Sequence, residues 1–192
     1  MKEIMRLGSI LLLICFVAAA LLAMTNDVTY PKIMEQRQMA NEKARKEVLP
    51  TADTFEELTG DQLTQIQAEN DKVDEIFIGK SGDQVVGYVV KTLPKAFGGT
   101  IKIFTGITTD GTVSGVRMGT GHQETPGLGA KAELPEFYEM YNGMSAEAHI
   151  GVSKTAQTET EIQAISGATI TSQAVTDGVN FAIDAIAVLK AQ

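Results

Sequence analysis

The pattern of hydrophobic and polar residues divides the start of the chain into an apolar run and a more polar segment that follows it. The 18 residues from Leu7 to Met24 contain no charge, and about 17–25 such residues cross a bilayer as a helix. The segment from Asp27 to Lys46 is rich in Glu, Gln, Lys and Ala, and the pair Glu42/Lys46 supports a helix. The pattern therefore predicts three parts: a transmembrane segment within 1–26, a helical stalk over 27–50 and a domain over 51–192.

The apolar run also permits a different interpretation, a cleaved signal peptide. Lys2 and Arg6 precede it, and the small residues at 18–20 could serve a peptidase. The uninterrupted length up to Met24 favours a retained anchor.

Alternating apolar positions between Val73 and Met118 predict antiparallel strands. A turn over 79–83 predicts one hairpin, and the pair Asp110-Gly111 predicts a second. The segment from Glu133 to Tyr141 has a helix-like pattern. These patterns favour an α+β class.

The C-terminal segment carries an apolar stripe at helical spacing. Val175, Val179, Ile183 and Ile186 recur every three or four residues, so a helix starting near Thr171 should pack this face on the sheet. The predicted fold is thus one N-terminal transmembrane helix, a stalk, and a single domain with an antiparallel sheet and packed helices.

Charge excludes several classes of function. Residues 51–192 hold 9 Lys or Arg and 19 Asp or Glu, a net charge of −10, which disfavours nucleic-acid binding. The single cysteine, Cys15, excludes an intrachain disulfide and an iron–sulfur cluster held by four cysteines of this chain. His122 and His149 lack the spacing of metal sites, so no metal is expected.

The run Ser166-Gly167-Ala168-Thr169 stands directly before the predicted C-terminal helix. Free N–H groups and the helix dipole attract phosphate at such a helix start. Gly167 can adopt a positive φ and let the backbone approach a ligand, while Ala168 adds little bulk. Taken alone, the run also describes an ordinary turn into a helix.

A second segment, from His122 to Lys131, reads HQETPGLGAK. Its Pro-Gly pair enforces a turn, and Gly127 and Gly129 flank Leu128, so the backbone can approach a flat ring. Glu124 and Thr125 offer side-chain oxygens to such a ligand. A purely structural loop is the alternative.

The two segments together resemble the FMN-binding domain of the G subunit of Rnf electron-transport complexes. That family carries FMN as a phosphoester on the last residue of D-x-x-[ST]-G-A-T, which is Thr169 here, with Gln163 in place of the Asp. The resemblance implies flavin contacts from Ser166, Gly167, Ala168 and the loop residues Glu124, Thr125, Gly127 and Leu128.

The resemblance further implies a place in a membrane complex that couples electron transfer between ferredoxin and NAD to Na⁺ or H⁺ translocation. A separate flavin transferase would attach FMN, since no His or catalytic triad accompanies Thr169 in sequence. The domain would lie on the extracytoplasmic side of the cell membrane and the N-terminus in the cytoplasm. The isolated chain would hold no catalytic residue of its own.

Three alternatives remain at this point. One is the related C subunit of sodium-translocating NADH:quinone reductases, which shares the motif but is usually longer. The others are a noncatalytic membrane-anchored flavin sensor and a secreted structural domain without flavin.

Overall fold

The computed structural model describes residues 1–191, which form two compact units, Met1–Ala40 and a second unit that begins at Asn41. The first element is one long helix, α1 (Lys2–Val48), so the apolar segment and the predicted stalk are both helical. The large apolar side chains in its first half are exposed. Among the described residues, α1 is the helix long and apolar enough to cross a membrane.

The second unit is built on a five-stranded antiparallel sheet, as the α+β prediction required. In chain order, the strands of this sheet and of two small two-stranded sheets are β1 (Thr54–Glu57), β2 (Val73–Ser81), β3 (Gln84–Thr92), β4 (Lys95–Ala96), β5 (Gly99–Thr100), β6 (Ile103–Thr108), β7 (Val113–Met118), β8 (Gly151–Ser153) and β9 (Glu161–Gln163). The order across the large sheet is β1-β2-β3-β6-β7, while β4 pairs with β5 and β8 with β9. Both predicted hairpins are confirmed, but β2 and β3 run further than expected and pair up to Ser81 and Gln84.

The helices of this unit are α2 (Asp61–Glu69), the single turn α3 (Pro135–Tyr138) and α4 (Thr169–Lys190). One face of the sheet is covered by α4, whose predicted apolar stripe is buried. The Thr92 hydroxyl on β3 donates to the Gly178 carbonyl at 3.0 Å. This bond places the middle of α4 against the end of β3 at which Thr92 lies.

The segment from Glu133 to Tyr141 is not the helix that its pattern predicted. It consists of the end of a 3-10 helix (Gly129–Glu133), the single turn of α3, and a second 3-10 helix (Glu139–Tyr141). Leu134 is extended, with φ −85° and ψ 146°. A residue before proline avoids the helical region, so Pro135 forces a break there.

The end of α1 packs against the opposite face of the sheet, at positions where the strands carry glycine. A Cβ on Gly106 would lie 2.1 Å from the Val48 carbonyl oxygen, and one on Gly79 would lie 2.4 Å from Leu49. Gly87 and Gly115, on β3 and β7, make the same kind of close approach. The Ser114 hydroxyl also donates to the Val48 carbonyl at 2.5 Å. Four neighbouring strands thus lack side chains where Val48 and Leu49 are buried.

Candidate functional site

The start of α4 presents the residues of the small-residue run. Thr169 is the first residue of the helix and is exposed, and no side chain caps this helix end. Gly167 has φ +78°, the left-handed conformation predicted for it. The buried Ser172 hydroxyl donates to the Ala168 carbonyl at 3.0 Å and accepts the Ile165 N–H at 2.9 Å. The run is therefore held rigidly with the Thr169 side chain outside the core.

The glycine-containing loop meets this helix start, as the ligand hypothesis required. Gly127 has φ +76°, and the Thr125 carbonyl accepts the N–H groups of Leu128 and Ala130. The Leu128 side chain lies 3.1 Å from where a Cβ on Gly167 would stand. A side chain at 167 would therefore push against the loop.

Glu124 joins three segments around the same point. The carboxyl group is buried, with 6% of the residue exposed. One oxygen accepts the Gly98 N–H at 2.7 Å, and the other accepts the Thr171 hydroxyl at 2.5 Å. A carboxylate can accept both bonds because all its sites are acceptors. Both oxygens are thus already bonded within the protein, and Glu124 ties the β4–β5 turn to α4.

Gly129 lies against this bridge. A Cβ there would stand 2.1 Å from a Glu124 oxygen and 2.7 Å from the Thr171 hydroxyl. The glycine is required by close approach of the bridge, and no ring contact is needed to explain it.

A cavity of about 360 Å³ opens where these segments meet, a size suited to a small organic ligand. Its walls are mainly apolar or small, and Glu124 is the ionisable side chain among the lining residues that the structure describes. The lining consists of Phe97, Glu124, Thr125, Leu128, Gly129, Gly167, Ala168, Thr169, Ile170 and Thr171.

Six of the eight predicted site residues therefore line one cavity, although they come from segments about 40 residues apart. Gly127 and Ser166 stand next to it without lining it. The sequence did not single out Phe97, Ile170 or Thr171. Thr171 could have been found as the second residue after Thr169 on a helix start, but Phe97 comes from a different hairpin and carried no signal of its own.

Each of the two histidines lies within hydrogen-bonding distance of a carboxylate. His122 Nε2 lies 2.9 Å from Glu133, and its Nδ1 accepts the Glu124 N–H at 3.3 Å, so His122 supports the loop. His149 pairs with Asp184 at 2.8 Å. Over residues 1–191, no three His, Cys, Asp or Glu side chains converge as a metal site.

The residues present fit a flavin mononucleotide. Apolar walls and glycine backbone suit a flat ring, and the uncapped start of α4 suits a phosphate. The Thr169 hydroxyl lies at that helix start, in the wall of the cavity.

Comparisons with known proteins agree with this assignment. A family model for the FMN-binding domain matches residues 97–184, and a model for the RnfG N-terminal region matches residues 1–48. The chain is 43% identical over 190 residues to the G subunit of the Na(+)-translocating ferredoxin:NAD(+) oxidoreductase complex of Acetobacterium woodii, covering 95% of this chain and 91% of that one. It is 35% identical to the G subunit of the ion-translocating oxidoreductase complex of Methanosarcina acetivorans, covering 95% and 94%.

The fold also has a counterpart among solved structures. The C subunit of the Na(+)-translocating NADH-quinone reductase of Parabacteroides distasonis superposes with a TM-score of 0.59 at 20% identity, covering 84% of this chain and 98% of that one. That similarity concerns the fold, whereas the sequence relatives cover almost the whole chain. The protein therefore belongs to the family of G subunits of ion-translocating oxidoreductase complexes and contains an FMN-binding domain, held on a membrane anchor.

Proposed function

We propose that this chain is an electron carrier in a membrane complex that transfers electrons between ferredoxin and NAD and couples this transfer to Na⁺ or H⁺ translocation. The carrier is FMN joined by a phosphoester to Thr169. The observation that supports this most directly is the cavity at the start of α4, where Thr169 meets the loop from Glu124 to Gly129.

The lining of the cavity favours a covalent link over simple binding. Free FMN carries a phosphate monoester, which proteins usually hold with Arg or Lys. The described lining offers no cation, and the helix start supplies only partial positive charge. A diester keeps one negative charge, so the same helix start suits the bound form better.

Attachment needs a second protein. Thr169 Oγ would form a bond to the FMN phosphorus of FAD, the anhydride bond would break, and AMP would leave as the Thr169 proton is released. Such an attack usually needs a base, and Glu124, the ionisable group in the described lining, already accepts hydrogen bonds from Gly98 and Thr171. We therefore assign this step to a flavin transferase.

Once bound, the flavin supplies the redox chemistry, accepting and passing on electrons. The protein would orient it: Thr169 would hold the phosphate end, and Leu128 and Gly129, which line the cavity, would restrict the ring. The other subunits of the complex would supply the iron–sulfur and nicotinamide centres, since residues 1–191 hold no metal-ligand cluster and no convincing dinucleotide-binding motif.

The linkage is tested on protein produced with a flavin transferase and purified in detergent. After denaturation in a gel, the band should fluoresce, and peptide mapping should place the added mass on the peptide containing Thr169. Protein from a host without a transferase should give no fluorescent band. A fluorescent peptide that excludes residue 169 would contradict the assignment.

We also propose that the domain lies on the extracytoplasmic side of the membrane. In a Cys15→Ser background, cysteines at the exposed positions Gln36 and Lys154 should react with an impermeant thiol reagent in intact cells. A cysteine at Glu3, on the other side of the apolar run, should react only after the membrane is opened. The reverse labelling pattern would contradict this orientation.

A further inference from the structure

Phe97 is an unusually exposed aromatic residue at the mouth of the Thr169 cavity. Its side chain lines the cavity although the residue is 70% exposed. From residue 50 to residue 191, the structure describes five exposed large apolar residues, and three of them line this cavity. The five are Val85, Phe97, Leu128, Leu134 and Ile170. Exposed apolar surface in this unit is therefore concentrated where the flavin is proposed to bind.

The backbone that presents Phe97 is fixed. Phe97 and Gly98 form the two-residue turn between β4 and β5, in which Ala96 pairs with Gly99. The Gly98 N–H is held by Glu124 at 2.7 Å. A Cβ on Gly98 would stand 2.2 Å from the Gln123 carbonyl oxygen, so the turn packs directly on the loop.

The turn holds the Phe97 ring in solvent at the mouth of the cavity, so a flat ligand bound there would bury apolar surface of that ring. A Phe ring has no hydrogen-bonding group, and it pairs well with flat conjugated rings. Leu128 and Ile170 offer apolar surface around the same cavity. We propose that Phe97 contacts the isoalloxazine ring of the FMN attached to Thr169 and shields it from water. This inference rests on the proposed function and adds to it a ring contact from a separate hairpin.

The contact can be tested with tryptophan as a short-range quencher of flavin fluorescence. In full-length protein carrying flavin, Phe97→Trp should lower the fluorescence of the folded protein several-fold relative to the unaltered chain. The matched control is Val85→Trp, another exposed apolar position. Val85 lies seven residues before Thr92 on β3, about 23 Å along the strand, and outside the cavity lining. Val85→Trp should leave the fluorescence unchanged.

A second variant measures shielding without adding a quencher. Phe97→Ala should increase quenching of the flavin by iodide in solution, whereas Val85→Ala should not. All variants should show equal fluorescence after denaturation, which confirms equal flavin content. Equal folded-state fluorescence in Phe97→Trp and Val85→Trp, or unchanged iodide quenching in Phe97→Ala, would overturn the contact alone. Absence of covalent flavin from the unaltered chain would instead overturn the proposed function, and this inference with it.

Discussion

Thr169→Val is expected to abolish covalent flavin while leaving the domain folded. Valine has nearly the shape of threonine, and both residues have similar helix propensities. Thr169 is exposed at the first position of α4 and caps no helix end. The substitution therefore removes only the oxygen that would form the phosphoester. In-gel fluorescence after denaturation, with protein amount measured separately, should fall to background.

The structure decides which neighbouring hydroxyl is a fair control. Ser166 is exposed and stands outside the cavity lining, so Ser166→Ala should retain full in-gel fluorescence. Ser172 is unsuitable, because its hydroxyl makes two local hydrogen bonds in a buried position. Ser172→Ala should cost about 1–3 kcal/mol of stability, because it leaves the Ile165 N–H unpaired. A loss of flavin in this variant could then reflect unfolding and not a lost attachment site. Covalent fluorescence that persists in Thr169→Val would refute Thr169 as the attachment point.

The sequence predicted the parts of the fold whose signals are local. Turn residues located both hairpins. The three- and four-residue spacing of Val175, Val179, Ile183 and Ile186 located the buried face of α4. The positive φ of Gly127 and Gly167 also follows from local chemistry, since glycine adopts this region without steric cost.

Features that depend on tertiary contact were not predictable in the same way. The sequence around Gly79 and Gly106 does not indicate that the end of α1 packs on these glycines, because the contact joins residues far apart in the chain. The apolar pattern over 133–141 resembled a helix, but the restriction imposed by Pro135 on Leu134 outweighed it.

The candidate site shows the same division. Motif resemblance brought Thr169 together with the loop near residue 125, and the structure places both at one cavity. The contact of Glu124 with the flavin stays a prediction, and the structure adds that its oxygens accept hydrogen bonds from Gly98 and Thr171. Phe97 was missed because it lies at the tip of a separate hairpin, and the local sequence does not show which segments that tip contacts in the folded protein.

Glu124→Ala is expected to destabilise the second unit and to loosen the cavity. The substitution removes the acceptor of two groups: the hydroxyl of Thr171, a residue that is 1% exposed, and the N–H of the half-buried Gly98. At about 1–3 kcal/mol for each unsatisfied group, the free energy of unfolding should fall by roughly 2–6 kcal/mol. The measurement is urea denaturation in detergent, with unfolding of the domain monitored by circular dichroism.

Glu124→Gln removes the negative charge but keeps a side chain that can hydrogen-bond to both Gly98 and Thr171. The glutamine oxygen can accept the Gly98 N–H, while its amide group donates to Thr171 Oγ, whose hydroxyl can rotate. Stability should therefore stay within about 1 kcal/mol of the unaltered chain, since each bond keeps a partner. Removal of a negative charge beside the cavity should also raise the flavin midpoint potential, because a reduced anionic ring is then repelled less. If Ala and Gln lower stability equally, the charge of Glu124 and not its two hydrogen bonds holds the hairpin to α4. If neither lowers it, the bridge does not stabilise the site.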